Sequence, residues 1–420
     1  MRVLFISLSL PPFAESQTIR SAYWIEAAAA QGVQFGLLTA EVGKENQDTS
    51  LNALIPDGIP IWRTPEPVYD WRRRALRAKR FGRWLDYVYA NAAYRLLAPD
   101  VRRGWDRWAY QLARQILPDF RPDLILSASG SCTAHLAAYR LAQETGLPWI
   151  ADLGDPWSLV DWQYPEMVVK ALWNTLLENR HLPNANYLIV TTEPTRTAYE
   201  GRWGPRTPPI GVIYYGYRDA DFMNATPSRL QSPIQIAYVG AASRRSRNLI
   251  PLIRSLAAIV GRSQLNYHLT IVGDTSAFFR REVEKLSINN VQFTGRVSYR
   301  ESIDWMLKSD LLVLVGNQGR LQIPGKTFLY LASGRPILYL SQLPLDQDPT
   351  WALLRPFAGV VALPNRSDAI TEWFVAQKPL DWCTLFEQAW TRRFSSALSR
   401  YEIHTQVAQL IQIMQSEKGR

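Results

Sequence analysis

The chain has 420 residues, 47% of them apolar and 12% aromatic, enough for two or three domains that each bury a core. It contains no uncharged apolar run of about 18 residues, which excludes a membrane-spanning helix, and its two distant cysteines, Cys132 and Cys383, exclude a disulfide framework and point to a reducing cytosol. The net charge of +10 favours anionic partners: nucleotide phosphates, an acidic membrane surface or nucleic acid.

In chain order, the first apolar run, Val3–Leu8, reads as a buried strand; it is too short, and lacks a small-residue cleavage site, for a signal peptide. A helix over Ser16–Gln31 and a strand over Val33–Thr39 follow. The segment Trp71–Tyr89 places Ala78, Phe81, Leu85 and Val88 at helical spacing among seven arginines and lysines from Arg72 to Arg83. Such a helix can lie on an anionic membrane surface, or pack on the sheet with a basic face to solvent. Asp123–Ser127 (strand), Thr133–Glu144 (helix), Pro148–Asp152 (strand), Tyr187–Thr191 (strand) and a helix from Glu193 continue the alternation. The polar, turn-rich stretch from Tyr214 to Pro233 reads as a linker. Strands are expected again at Ile234–Val239, Tyr267–Val272, Val291–Thr294, Leu311–Val315 and Pro336–Leu340. Residues 380–420 read as helices that cross back to the first unit. The pattern is α/β: two doubly wound Rossmann-like domains, 1–215 and 234–379, joined by a linker at 216–233 and facing each other across a cleft.

In such sheets ligands sit beyond the carboxyl ends of the strands, so loops that follow strands carry the chemistry. After Ile234–Val239 come Gly240, Ala241, Ala242 and Ser243, small enough to let an anion reach the backbone, then Arg244, Arg245 and Arg247. The alternative is a solvated basic loop. After Leu311–Val315, the segment Pro324-Gly325-Lys326-Thr327 opens a helix with a lysine, a position the helix dipole disfavours unless an anion lies there too. In the first unit Asp152 and Asp155 follow a strand, where a carboxylate can orient or deprotonate an acceptor hydroxyl; equally, they can cap a loop and a helix, with Trp157 as packing. The four histidines have no metal-ligand spacing, no Walker lysine or Gly-x-Ser-x-Gly occurs, and the missing G-x-G-x-x-G after the first strand argues against a dehydrogenase.

The run Pro324-Gly325-Lys326-Thr327-Phe328-Leu329-Tyr330-Leu331-Ala332-Ser333-Gly334-Arg335-Pro336-Ile337 resembles the Pro-Gly-Lys-x-Phe-Glu-Tyr-Leu-Ala-x-Gly-x-Pro-Ile pattern of glycosyltransferase-4-type enzymes with the GT-B fold. The stretch ending Leu147-Pro148-Trp149-Ile150-Ala151-Asp152-Leu153-Gly154-Asp155-Pro156-Trp157 resembles a subgroup with Asp-Phe-Arg-Asp-Pro-Trp, and Val212 to Phe222 resembles the family's interdomain break. The likeness runs over roughly residues 1–375. It implies a retaining, metal-independent transfer from a nucleotide-diphospho-sugar, which is a substrate and not a cofactor. The implied donor site holds Gly240, Ala241, Arg244, Arg245, Arg247, Pro324, Gly325, Lys326 and Thr327. Lys326 and Arg247 would stabilise the leaving diphosphate, with Asp155 as the third catalytic candidate. The implied acceptor side holds Pro12, Arg20, Asp152, Asp155 and Trp157; Arg20 would bind an acceptor phosphate or pair on a helix surface. The acceptor would be a polysaccharide or lipid-linked glycan, met in the cytoplasm or at the inner membrane face; no nucleic-acid module is legible.

Two departures matter. Leu329 stands where the family has the Glu that holds the ribose hydroxyls, and Gly154 where the subgroup has Arg. Thr327 or Asn317 could replace that Glu, or the site could have stopped turning over. The expected function is therefore a glycosyltransferase. The alternatives are a relative kept as a partner or regulatory protein and a hydrolysing sugar-nucleotide epimerase of the same layout.

Overall fold

A computed structural model describes residues 1–79, 81–159, 168–244, 246–263 and 266–419. The chain forms two compact units: Met1–Tyr215 together with Ile403–Arg420, and Gly216–Glu402.

The first unit is built on seven parallel strands, β1 (Arg2–Ile6), β2 (Gln34–Ala40), β3 (Ile61–Thr64), β4 (Leu124–Ala128), β5 (Trp149–Leu153), β6 (Tyr187–Val190) and β7 (Ile210–Val212), in the order 3-2-1-4-5-6-7. Its helices are α1 (Ser16–Ala29), α2 (Val68–Arg77), α3 (Gly82–Leu96), α4 (Trp105–Phe120), α5 (Thr133–Thr145), α6 (Val168–His181) and α7 (Glu193–Trp203). Every residue of β4 and β5 is buried, as expected for central strands covered on both faces. The core gathers Leu4, Ile6, Ile125, Trp149, Leu188 and Val190 from the sheet with Ala134, Ala138, Leu141 and Tyr199 from the helices. Trp149 is fully buried, and its Nε1 donates to Ser127 Oγ at 2.7 Å.

The basic aromatic segment is two helices. Gly82 interrupts it: a Cβ there would lie 2.3 Å from the Leu76 carbonyl oxygen, so only glycine lets α3 start so close beneath α2. Asp86 then clamps the hairpin, accepting from Arg73 (2.6 and 2.9 Å) and from Arg77 (2.7 Å).

The second unit has six parallel strands, β8 (Ile234–Val239), β9 (Tyr267–Val272), β10 (Val291–Gly295), β11 (Leu311–Val315), β12 (Ile337–Ser341) and β13 (Val360–Pro364), ordered 10-9-8-11-12-13. Its helices are α8 (Ile250–Ala258), α9 (Ala277–Lys285), α10 (Tyr299–Lys308), α11 (Lys326–Ala332), α12 (Pro349–Leu354), α13 (Ser367–Ala376), α14 (Pro379–Arg392) and α15 (Ser396–Ser399). Each sheet thus has the doubly wound order in which the first strand of its unit lies between the second and the fourth.

The stretch 216–233 is an integral part of the second unit. Tyr217 N donates to the Tyr401 carbonyl (3.1 Å), Tyr299 Oη to Asp221 (2.7 Å), and Arg335 Nη1 to the Thr226 carbonyl (2.8 Å), while Phe222 is fully buried. The helix α14 also stays there, because buried Arg392 donates to the carbonyls of Leu331, Ala358, Gly359 and Arg335. Only the last helix, α16 (Ile403–Lys418), returns to the first unit, where Gln406 accepts from Tyr214 N at 2.8 Å and Lys418 pairs with Asp123 at 3.0 Å. Among the described residues no helix is long and apolar enough to cross a membrane.

Candidate functional site

In the second unit the strand order reverses between β8 and β11, and the loops leaving these two strands meet. Gly240 follows β8 with φ +153°, a conformation that disfavours a side chain. A Cβ placed on it would lie 3.5 Å from Lys326 Nζ, so the ammonium borders the space that a side chain at this position would take. Gly273, after β9, packs equally tightly: its Cβ would stand 2.7 Å from the Gly240 carbonyl oxygen. From the β8–α8 loop, Arg247 Nη1 lies 3.5 Å from the carbonyl of Gly316, the first residue after β11. Gln342, after β12, ties the same place together by donating to the carbonyls of Gly316 (2.5 Å) and Ser246 (2.8 Å).

The helix that carries Lys326 is fixed by Tyr330, whose hydroxyl accepts from Val239 N at 2.9 Å, just before Gly240. The turn before it closes through Thr327 N and the Pro324 carbonyl (2.9 Å). Burial first, and the Arg247 guanidinium second, push the Lys326 ammonium down to about 8 from its usual 10.5. Among the described residues neither Lys326 nor Arg247 has a carboxylate within ion-pair distance, whereas the buried Arg20 and the partly buried Arg102 and Arg202 do. Two cations held together against glycine backbone form a place that an anion would stabilise and that is poor without one.

The other donor-side candidates separate. Arg244 is exposed and stacks over Phe278 of α9, with its guanidinium carbon 5.1 Å from the ring centre. Arg245 lies outside the described residues. Ala241 is exposed, Pro324 is buried and Gly325 partly so. The Thr327 hydroxyl is buried without a hydrogen-bond partner among the described residues. Asn317 spends its amide on the Gln322 carbonyl at 3.0 Å, holding its own loop. Leu329 is buried, as core packing requires.

The first unit corrects two acceptor-side expectations. Arg20 and Asp152 form a fully buried bidentate pair, Nη2–Oδ1 at 2.9 Å and Nε–Oδ2 at 3.2 Å, so neither offers a surface to an acceptor. Gln17 adds a bond to Asp152 (2.8 Å), the Tyr214 carbonyl accepts from Arg20 Nη1 (2.6 Å), and the guanidinium lies 4.2 Å over the Trp24 ring. Gly154 belongs to this cluster. A Cβ there would fall 2.0 Å from Gln17 Oε1, so the arginine of the resembling subgroup would have to displace Gln17. Trp157 is core packing beside His135. Asp155, by contrast, is exposed just after β5, close enough for its charge to help burial raise the Tyr215 hydroxyl pKa. Pro12 is partly exposed, and its carbonyl accepts from Asp48 N at 2.7 Å.

Sequence reasoning missed Glu15, which stands where the first sheet reverses, between β1 and β4. It accepts from Ser9 Oγ at 3.0 Å, and Arg102 approaches it to 3.7 Å. Burial raises its pKa against the pull of Arg102. Gly130, after β4, makes room for this arrangement, since a Cβ there would lie 1.7 Å from Ser9 Oγ. The Ser-Gly pair that follows a central strand is the readable signal. The loops beside it leave a small half-open pocket of about 10 Å³, space for one water, lined by Leu8, Phe13, Glu66, Asp70 and Arg102 among others.

Both sheets, with their order and their glycine-lined carboxyl ends, define the GT-B fold of glycosyltransferases. Solved structures of that fold match nearly the whole chain. Sucrose-phosphate synthase from Thermosynechococcus elongatus has a TM-score of 0.68 at 16% identity, covering 99% of this chain and 98% of its own. HepE (Alr3699) from Anabaena, in complex with UDP and glucose, has a TM-score of 0.65 at 16% identity, covering 99% of each chain. UDP-GlcNAc 2-epimerase from Neisseria meningitidis, bound to UDP-GlcNAc, has a TM-score of 0.58 at 13% identity, covering 99% of this chain and all of its own. Residues 18–216 match the family described as "Glycosyl transferase 4-like domain". No curated protein matches the chain.

Proposed function

We propose that the protein is a glycosyltransferase of the glycosyltransferase-4 type that moves a sugar from a nucleotide-diphospho-sugar to a polysaccharide or lipid-linked acceptor. The meeting of Lys326, Arg247 and Gly240 at the reversal point of the second sheet carries this reading. The glycosyl transferase 4-like match over the first unit supports it, as does a fold shared with HepE, solved with UDP and glucose. In this reading Lys326 and Arg247 grip the diphosphate. As the bond between the anomeric carbon and the phosphate oxygen breaks, its electron pair stays on that oxygen, and the two cations stabilise the growing charge without an essential metal. The acceptor hydroxyl oxygen bonds to the anomeric carbon with retention, and its proton passes to the departing phosphate. Asp155 orients that hydroxyl. The nucleotide-sugar is the only small molecule the reaction needs, and nucleic acid has no part in it. The place of action is the cytoplasm, at the inner face of a membrane.

Leu329 favours one second reading, a catalytically inert relative that serves as a partner or regulatory protein. A buried leucine cannot accept a hydrogen bond from ribose. Thermal unfolding with UDP or GDP, and with UDP- or GDP-sugars, separates the two. At a hundredfold excess over Kd the correct nucleotide adds about 2.7 kcal/mol, a rise in Tm of roughly 5–10 °C for a unit of this size. An unmoved Tm with every nucleotide overturns the transferase. Leu329→Glu is expected to weaken nucleotide binding, because it places a carboxylate in a packed position that the working pocket leaves apolar. A gain in affinity would instead mark a site decayed from one that used glutamate.

A further inference from the structure

Glu15 occupies a structural position without doing the structural work of that position. It is the N-cap residue of α1, with φ −132° and ψ 161°, yet its side chain makes no capping hydrogen bond. The carboxylate turns instead toward Ser9 Oγ and the exposed Gly130, where an added Cβ would stand 2.7 Å from Glu15 Oε2. A third of the Glu15 side chain stays open to solvent, although burial is the main cause that raises its pKa. The carboxyl therefore sits in a recess with a mouth. Its loop is held rigidly, because Ala14 N donates to the Asn46 carbonyl (3.0 Å) and Asp48 N to the Pro12 carbonyl (2.7 Å).

The neighbouring acids are satisfied and Glu15 is not. Asp100 accepts four hydrogen bonds, from Arg102 N, Ser131 Oγ, Thr133 N and Thr133 Oγ1. Asp70 takes the Arg102 guanidinium at 2.9 Å. Among the described residues Glu15 accepts one hydrogen bond, from Ser9, where a carboxylate has room for about four, and Arg102 stops 3.7 Å short of it. The charged groups facing Glu15 are Arg102, Asp70 from α2 and Asp100 from the turn before α4; the Tyr215 hydroxyl feels both Glu15 and Asp155. The loops after β1 and β5 thus bring two carboxylates to one side of the first sheet. One guanidinium among Glu15, Asp70 and Asp100 leaves the place negative. A phosphate or a uronate there would be repelled, whereas an uncharged hydroxyl would donate to the waiting carboxylate.

We propose that Glu15 is a second acceptor-side catalytic residue, which accepts the hydrogen bond of the attacking hydroxyl, and that the sugar carrying this hydroxyl is uncharged. The inference rests on the sugar-transfer reading. The hydroxyl oxygen bonds to the anomeric carbon while the electron pair of the breaking bond stays on the phosphate oxygen. The hydroxyl proton, held toward Glu15 until then, passes to the departing phosphate.

The test uses the full chain, the UDP- or GDP-sugar that raises its Tm most, and p-nitrophenyl glycosides of glucose, galactose, N-acetylglucosamine and glucuronic acid as acceptors. Where no glycoside is taken, nucleotide release with water as acceptor is read in the same way. Glu15→Gln is expected to lower kcat on the order of 10²-fold. Donor KM and the nucleotide-induced rise in Tm should not move, because Lys326, Arg247 and Gly240 belong to the other unit. The unmodified protein should show an acid limb in its rate with a midpoint above 4.5, and Glu15→Gln should lose that limb while Glu15→Asp keeps it. A purely structural role predicts otherwise: the amide relieves a desolvated charge and leaves Arg102 with Asp70, so the unliganded Tm should not fall. If Glu15→Gln does not fold, the acid limb of the unmodified protein decides. The proposal is overturned by a folded Glu15→Gln with unaltered kcat and pH profile, by the absence of an acid limb, or by a glucuronide that outpaces the neutral glycosides. Release of nucleotide that ignores Glu15 removes this inference alone; no release from any donor removes the sugar-transfer reading with it.

Discussion

Lys326→Ala is expected to remove nearly all sugar transfer, on the order of 10²–10³-fold in kcat/KM, because it deletes the charge nearest the place where a leaving diphosphate would rest. The unliganded protein should be no less stable for it. The ammonium is desolvated and stands beside Arg247 with no carboxylate at ion-pair distance among the described residues, so alanine relieves a repulsion while it destroys a function. The pH dependence provides a second readout. Burial and Arg247 bring the Lys326 pKa from 10.5 to about 8. Between those two pH values the unfolded chain carries a proton that the folded chain has lost, so the unliganded protein gains stability as pH rises through the window. Diphosphate binding has the opposite sign. It needs the charged lysine, so it is constant below about pH 8 and weakens about tenfold for each unit above. Urea unfolding of the unliganded protein measures the first and titration calorimetry with UDP or GDP the second, both from pH 7 to pH 9.5, and proton uptake on binding should appear at the upper end. Unchanged nucleotide affinity in Lys326→Ala, or affinity flat across that range, would remove Lys326 from the site.

The sequence carries the central strands almost residue for residue, β8, β9 and β11 among them, because strands buried on both faces read as unbroken apolar runs. The edge strands β3, β7 and β13 escape it. They are three to five residues long, β3 and β13 are mostly only partly buried, β7 has just three residues with a glycine at its centre, and β13 ends in Pro364, so their signal is no stronger than that of a loop. The candidate site is legible at Gly240 and Lys326, each pinned by a turn next to a strand or helix. Which arginine joins them is not legible. Arg244 and Arg247 share a loop, and the choice falls to Phe278, which captures Arg244 from a helix more than thirty residues away in the chain. The helix α6, whose buried positions are polar, marks a deeper limit. Periodicity says which residues share a face of a helix, but it is silent about which face turns inward. The stripe Val169, Leu172, Trp173 and Leu176 would look the same on an ordinary core helix; only the buried Lys170, Asn174 and Glu178 reveal the inversion.

Breaking the Arg20–Asp152 pair should cost the first unit more than any single surface change. Arg20→Leu leaves a carboxylate with no solvent and only the Gln17 amide beside it, and Asp152→Leu leaves a guanidinium between Trp24 and the Tyr214 carbonyl. Each is expected to lose about 3–5 kcal/mol in urea unfolding, since the surviving charge stays buried and unpaired. The double variant should recover much of that loss, because the desolvation penalty disappears with both ions. Arg20→Lys will not rescue: an ammonium cannot span both carboxylate oxygens and reach the Tyr214 carbonyl as well. In the proposed transferase the pair would also position Asp155. Asp152 precedes by three residues the exposed Asp155, and the intervening Gly154 is held through Ser129 Oγ (3.2 Å) and Thr191 Oγ1 (3.1 Å). A folded Arg20→Lys enzyme should therefore turn over more slowly while its affinity for UDP or GDP is unchanged, because Lys326, Arg247 and Gly240 belong to the other unit. Loss of nucleotide affinity in step with turnover would mean that the variant disturbs the whole molecule, and a cost below about 1 kcal/mol would mean that the buried pair is already reached by water.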